Sequence, residues 1–254
     1  MARSQEESAQ RVRLLGGFTN RTGIEASSDA DRMREGALAF TPEGSADDYR
    51  NFRGGLLREG GPIGTIPRPP SLGGAAKQAA AAAVGRRPLV LLDKLAERLA
   101  FERSGARLYE TLLLKHAQEG EFEGGPTRDQ LATIHQEELE HFRTLCDFVR
   151  RLGGDPTAVT PSADVGGVAS MGIVQLVTDP RLGLAESLEA ILIAELVDHE
   201  CWRTLRMLAR EAGNDELTEF AERAESEEDR HLAWVRSWVQ ARARGEETPA
   251  EPAG

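Results

Sequence analysis

Six side chains stand out by type and spacing: Glu102, Glu138, His141, Glu195, Glu228 and His231. They spell one pattern twice, a lone Glu followed by Glu-x-x-His, with 36 residues from Glu102 to Glu138 and 33 from Glu195 to Glu228. One Glu-x-x-His means little, because 29 glutamates and 5 histidines in 254 positions give roughly 0.6 such pairs by chance. Two are found. Positions three apart on a helix share a face, so both side chains of each pair can reach one ion. Four ionised glutamates brought together in a core repel one another and lose their hydration, so the cluster calls for positive charge. Two divalent cations supply it, with glutamates bridging them and one histidine nitrogen on each. Oxygen and imidazole donors suit iron or manganese, whereas a structural zinc site more usually includes thiolates. The competing account is a set of core polar groups salt-bridged to arginines of the same core, which leaves the repetition unexplained.

The elements that must position these six are helices. From Pro88 onward apolar residues recur at spacings of three and four. The first helix is predicted over about Leu89 to His116, with Leu91, Leu95, Glu102, Ala106, Tyr109 and Leu113 on one stripe. The second opens at the capping box Thr127-Arg128-Asp129-Gln130 and aligns Leu131, Ile134, Glu138, His141, Leu145 and Phe148, stopping at Gly153-Gly154-Asp155-Pro156. The third runs about Leu184 to Ala212, aligning Leu188, Leu192, Glu195, His199 and Trp202; the fourth runs about Asp215 to Ala241, aligning Leu217, Ala221, Ala224, Glu228, His231, Val235 and Trp238. At 1.5 Å per residue Glu102 lies about 21 Å before the end of its helix, and the Glu138/His141 pair about 19 Å after the start of the next. For the second pair of helices the corresponding heights are about 25 and 22 Å, so all four polar positions can meet. The connections are short, long, short. The long one, Gly153 to Gly183, can run the length of the bundle and give a one-crossover topology, with a short helix expected around Gly172 to Val177.

Composition limits the alternatives. A net charge of −11 argues against a nucleic-acid binder. Cys146 and Cys201 are the two cysteines, and no Cys-x-x-Cys occurs, so neither a disulfide framework nor a cysteine-based zinc or rubredoxin site can be built. No apolar stretch approaches the ~20 residues of a bilayer span and the amino terminus has no apolar signal core, so a cytoplasmic protein is expected, with no membrane partner. Residues 1–86 are rich in Gly, Pro and Ser and read as an extended, partly ordered arm. Short helices are expected there only near Ala30 to Leu38 and Ala75 to Val84. The arm has no histidine or cysteine and carries 12 Lys plus Arg against 10 Asp plus Glu, which leaves 19 against 32, or −13, for residues 87–254. The expected division is an arm at 1–86, a four-helix bundle at 87–243 and a disordered tail at 244–254.

On these residues the chain resembles the ferritin-like superfamily of di-iron carboxylate proteins, which includes rubrerythrins, bacterioferritins and manganese catalases; the resemblance covers about residues 89–241. It implies an all-α, ferritin-like four-helix bundle with one long crossover between helices two and three, plus an irregular N-terminal arm. It further implies two Fe ions, with Mn as the other candidate, held by Glu102, Glu138, His141, Glu195, Glu228 and His231, with Glu138 and Glu228 as bridges. The first helix is most like that of rubrerythrin, with Tyr109 seven residues after Glu102 and Trp202 in the equivalent place after Glu195. Tyr109 is a candidate catalytic residue, redox-active or hydrogen-bonded to a ligand, with core packing as the plainer role. Rubrerythrins carry a further glutamate three residues after the third-helix ligand, which takes part in iron movement. This chain has Asp198 there, a second candidate catalytic residue with a shorter reach. With no rubredoxin-type motif, electrons are expected from a separate donor. The implied activity is oxidation of Fe(II) with peroxide or dioxygen in a protective, oxidative-stress role, by a homo-oligomer, expected to be a dimer. The alternatives are a di-manganese catalase-like enzyme, a di-iron hydroxylase of an organic substrate, and an iron-storage or scaffold protein. His135 and His199, near the site by spacing, are expected behind the ligands or at the surface. Glu222, Glu225, Glu227 and Asp229 are expected to form a solvated face, with a cation path as the lesser option.

Overall fold

The computed structural model describes residues 29–40, 43–61, 63–67, 72–83 and 88–246. Among them are eight helices and no strand. The chain divides into two compact units, residues 1–61 and 62–254. Expectations for residues 1–28 and 247–254 lie outside the described residues.

The first unit contains α1 (Ala30–Ala39) and α2 (Ala46–Glu59). Helix α1 stands where the sequence predicts one. Helix α2 corrects the irregular arm: Ser45 Oγ accepts the Asp48 N–H at 3.1 Å and the Asp48 carboxylate accepts the Ser45 N–H at 2.8 Å, a reciprocal cap strong enough to start a helix that contains Gly54 and Gly55.

The second unit begins with α3 (Leu72–Ala83), close to the expected alanine-rich helix; the expected boundary at residue 86 falls after it. Then come the four long helices: α4 (Pro88–Glu119), α5 (Arg128–Arg151), α7 (Leu184–Glu211) and α8 (Asp215–Glu246), with α6 (Pro161–Thr178) between the second and third. The Thr127 cap starts α5 as the sequence requires, its hydroxyl accepting the Gln130 N–H at 3.2 Å. Between α7 and α8 the chain turns through Gly213 at φ +63°, a conformation open to glycine without strain, and Asn214 Oδ1 caps α8 through the Leu217 N–H at 3.2 Å.

The crossover is traceable contact by contact. After α5 the chain reaches the start of α4, where Ser162 donates N–H and hydroxyl to the Asp93 carboxylate at 2.9 and 2.7 Å. Helix α6 then runs alongside α4 to its far end, where Lys115 Nζ donates to Leu182 O at 2.6 Å and Ser187 Oγ at 2.8 Å and Glu119 accepts the Leu184 N–H at 2.8 Å. Helix α7 therefore starts at the end where α4 finishes. The short helix expected at Gly172 to Val177 is in fact the last third of an 18-residue helix with Pro161 in its first turn.

Two apolar layers fill the bundle. One is built on Leu95, Leu99, Leu145, Phe148, Trp202, Leu205, Leu217 and Phe220, the other on Leu108, Leu112, Leu131, Ile134, Leu188, Ile191, Val235 and Trp238. On every long helix the residues of one layer precede the candidate ligand and those of the other follow it, so the polar groups occupy a level between two dry layers. Among the described residues no helix is long and apolar enough to cross a membrane.

Candidate metal centre

At that level Glu102 from α4, Glu138 and His141 from α5, Glu195 from α7, and Glu228 and His231 from α8 are all buried, none more than 3% exposed. His141 Nδ1 lies 3.3 Å from Glu102 Oε2 and 3.4 Å from Glu228 Oε1; His231 Nδ1 lies 3.2 Å from Glu228 Oε2 and 4.0 Å from both Glu138 Oε1 and Glu195 Oε2. The structure thus brings all six residues together. Two triads have ligand atoms near enough to hold one ion each, Glu102/His141/Glu228 and Glu138/Glu228/His231, and Glu228 belongs to both. Glu138 also groups with Glu102, Asp198 and Glu228.

Three observations test whether these residues suit a pair of cations. Glu138 Oε2, Glu195 Oε2 and Glu228 Oε1 are buried with no protein hydrogen-bond partner, which is costly for a carboxylate that has nothing else to bind. Gly105 keeps space for Glu138: a Cβ there would overlap Oε2 and stand 2.8 Å from Cδ. Finally, among the described residues the buried charged groups at this level are five carboxylates, counting Asp198, against the guanidinium of Arg98, a net of −4 with neutral imidazoles, which two divalent ions would balance. The donor set fits a two-metal centre.

Without cations, protons take their place. Burial pushes Glu138 well up, helped by the charges of Glu102, Glu228 and Glu195. Burial and the Glu228 charge raise Glu195 to about 8. Burial alone would depress both imidazoles, but carboxylate contacts outweigh it: Glu102, Glu227 and Glu228 hold His141 far above its usual value, and Glu137 and Glu228 raise His231 to about 10. Glu228 moves down, because the closeness of both histidines overcomes its burial.

Around the six lies a ring of groups, of which Arg98 and Glu137 were not singled out by the sequence. His141 Nε2–H donates to Glu227 Oε2 at 2.7 Å, and His231 Nε2–H donates to Glu137 Oε2 at 2.7 Å. Each acceptor immediately precedes the motif glutamate of the opposite helix, so α5 and α8 exchange equivalent bonds. These contacts fix the N–H on Nε2 and leave Nδ1 facing the carboxylates. The signal was present as Glu-Glu-x-x-His, twice. Arg98 is buried, donates to Glu102 at 2.5 Å, pairs with Asp198, and lies over Phe101 and Trp202. Asp198 is therefore engaged by a guanidinium, and of the six only Glu102 is bonded to an arginine, where the salt-bridge account expected arginines for the whole set. The Tyr109 hydroxyl donates to Glu195 Oε1, and burial holds that phenol well above its ordinary pKa. Trp202 packs edge-on against His141 at 5.2 Å.

His199 turns away to Asp229 at 2.8 Å, and His135 is half-buried outside both triads. The acidic run on α8 is a set of bonded groups: Glu222 meets Arg210 at 2.9 Å, Glu225 meets Arg206 at 2.8 Å, Glu227 meets His141 and Asp229 meets His199.

Compared with models of known families, residues 126–244 match the ferritin-like domain. That stretch runs from the start of α5 almost to the end of α8 and includes Glu138, His141, Glu195, Glu228 and His231. No curated protein and no solved structure matches the chain.

Proposed function

We propose, from the match of residues 126–244 to the ferritin-like domain, that this chain is a two-iron oxidoreductase that oxidises Fe(II) with peroxide or dioxygen. The observation that carries this reading is the pair of buried triads sharing Glu228, with three carboxylate oxygens left without a protein partner. Two irons supply one electron each, the pair that breaking a peroxide O–O bond consumes.

The chain's own groups divide the remaining work. Glu102 and His141 would hold one ion, Glu138, Glu195 and His231 the other, with Glu228 within reach of both. Glu137 and Glu227 hold the imidazoles in the tautomer that offers Nδ1. Tyr109 stays protonated and steadies Glu195 through its hydroxyl. The two apolar layers exclude water above and below, so charge at this level is set by protein groups. Asp198, tied to Arg98, is poorly placed to follow a moving ion, which supports a fixed redox centre over a passage to an iron store. A separate donor returns the electrons after each turnover, and the role is protection against peroxide in the cytoplasm.

The test is metal analysis of the purified protein, then stopped-flow mixing of its reduced, iron-loaded form with peroxide and with dioxygen. About two irons per chain and rapid oxidation by at least one oxidant are expected. A protein that takes zinc alone and refuses iron under anaerobic loading, or whose iron form is inert to both oxidants, contradicts the proposal.

A further inference from the structure

Between α4, α5 and α6 the second unit opens into a groove of about 540 Å³, a volume within the range of small-molecule sites. None of the six metal-centre residues lines it. Its two long walls carry small residues about one helical turn apart, Ala96, Ala100 and Ser104 on α4 and Ala163, Gly167 and Ser170 on α6. Close packing does not explain the glycines of the α6 wall. A Cβ at Gly166 would stand 3.8 Å from its nearest neighbour, an ordinary contact, and one at Gly167 would meet nothing within 4 Å. Each glycine weakens its helix relative to alanine, and what the bare backbone leaves open is the groove. Its base is apolar: Phe142 packs on the layer of Leu99 and Phe148, and Phe101 on the layer of Leu108 and Leu112.

One rim is cationic. Arg103 and Arg150 line the groove with the half-buried Cys146, and while burial pushes that thiol up, both guanidinium charges pull against it, so the two arginines approach one spot. Arg150 pairs with Asp147 at 2.9 Å, and Glu97, the acid on the α4 wall, pairs with Lys94 at 2.8 Å. Arg103 has no hydrogen-bond or ion-pair partner among the described residues. The other acid of the groove, Asp164, stands in the first turn of α6, at the end where Ser162 meets Asp93.

We propose that this groove binds an amphipathic organic anion, a medium-chain carboxylate whose head meets Arg103 and whose chain lies between the two small-residue walls. Charge selects the head. In a chain of net charge −11, an unpaired guanidinium at the mouth of an apolar trough favours a carboxylate, which it can meet with two parallel N–H donors. Length selects the body. From Ala96 to Ser104 the groove follows α4 for about 12 Å, and at roughly 1.2 Å per extended backbone bond that distance holds about ten carbons.

The test is a calorimetric titration of decanoate into the full-length chain, with 1-decanol and acetate as partial ligands. One decanoate per chain is expected, with decanol at least about 10-fold weaker because it lacks the charge-assisted bond, and acetate giving no heat of binding. Arg103→Gln should lower decanoate to the affinity of decanol and leave decanol unchanged. Gly167→Leu fills the groove from a position where a Cβ meets nothing and should abolish binding of both. Gly172→Leu, the same change at an equally open α6 position outside the groove, should leave both intact. Helicity by circular dichroism should stay at the wild-type level in all three variants. Bound decanoate should also slow alkylation of Cys146 but not of Cys201, read by peptide mass spectrometry. The proposal is overturned if the wild-type chain shows no saturable decanoate binding, if acetate binds as tightly as decanoate, if Gly167→Leu binds as the wild type does, if Gly172→Leu loses binding equally, or if Arg103→Gln keeps the preference for decanoate over decanol. None of these readouts depends on metal, so the two-iron proposal stands or falls separately.

Discussion

The two halves of the bundle repeat one motif but steady it differently. In both, the histidine hydrogen-bonds through Nε2 to the glutamate preceding the opposite motif, at 2.7 Å each. The lone glutamates part company: Glu102 is held by the Arg98 guanidinium, Glu195 by the neutral Tyr109 hydroxyl. Both donors come from α4, on either side of Glu102. A guanidinium bonded directly to Glu102 of one triad, and none bonded to a carboxylate of the other among the described residues, predicts that ions at the two positions would bind unequally, with the Glu138/Glu228/His231 side the tighter.

The largest effect should follow from removing what the halves share. Glu228→Ala should abolish binding of both ions, a loss of at least about 100-fold at each, measured as metal per chain after dialysis; retention of one ion would break the idea of a shared ligand. Next comes the arginine. Arg98→Met leaves Asp198 buried and unpaired and should destabilise the metal-free protein by about 3 to 5 kcal/mol in urea unfolding. Adding Asp198→Asn should recover most of that loss and narrow the affinity gap between the two ions. Tyr109→Phe removes one bond to a carboxylate and should cost about 1.5 to 3 kcal/mol, weakening only the ion on the Glu195 side. If Arg98→Met and Tyr109→Phe affect the same ion, the two halves are not distinct.

The reciprocal bonds give a finer test. Glu227→Gln should weaken the ion on His141, and Glu137→Gln the ion on His231, each by about 10- to 100-fold. The smallest and broadest effect is that of pH. Glu195 is raised to about 8 and His231 to about 10. A raised group contributes stability that is complete below its unfolded value and lost as pH climbs through the folded one, so metal-free protein should weaken between about pH 5 and 10. Cations replace those protons, so the rise in Tm on metal addition should grow over the same range, as measured by thermal unfolding with and without metal. An increment independent of pH would mean that ions bind elsewhere.

Much of this was legible in the residues. The lone glutamates and paired Glu-x-x-His motifs fell on apolar stripes at matched heights, and four helix boundaries followed from caps such as Thr127 and stops such as Gly153 and Gly213. Arg98 was not legible, because an arginine on a long helix ordinarily reaches solvent, and only the approach of α7 with Asp198 shows where it goes. Glu137 and Glu227 were visible as doubled glutamates, yet which member of each pair meets the opposite helix depends on packing. Helix α2 was missed although Ser45-x-x-Asp48 announces it, because Gly54 and Gly55 weigh against a helix locally. The length of α6 was masked by its glycines, which α4 and α7 tolerate by packing along one side.

The most direct test of the central claim is an anaerobic calorimetric titration of Fe(II) into metal-free protein. Two polarised positions sharing Glu228 predict two ions per chain, taken up in two steps of unequal affinity. One ion per chain, or two ions in a single step that Arg98→Met leaves unchanged, would contradict it.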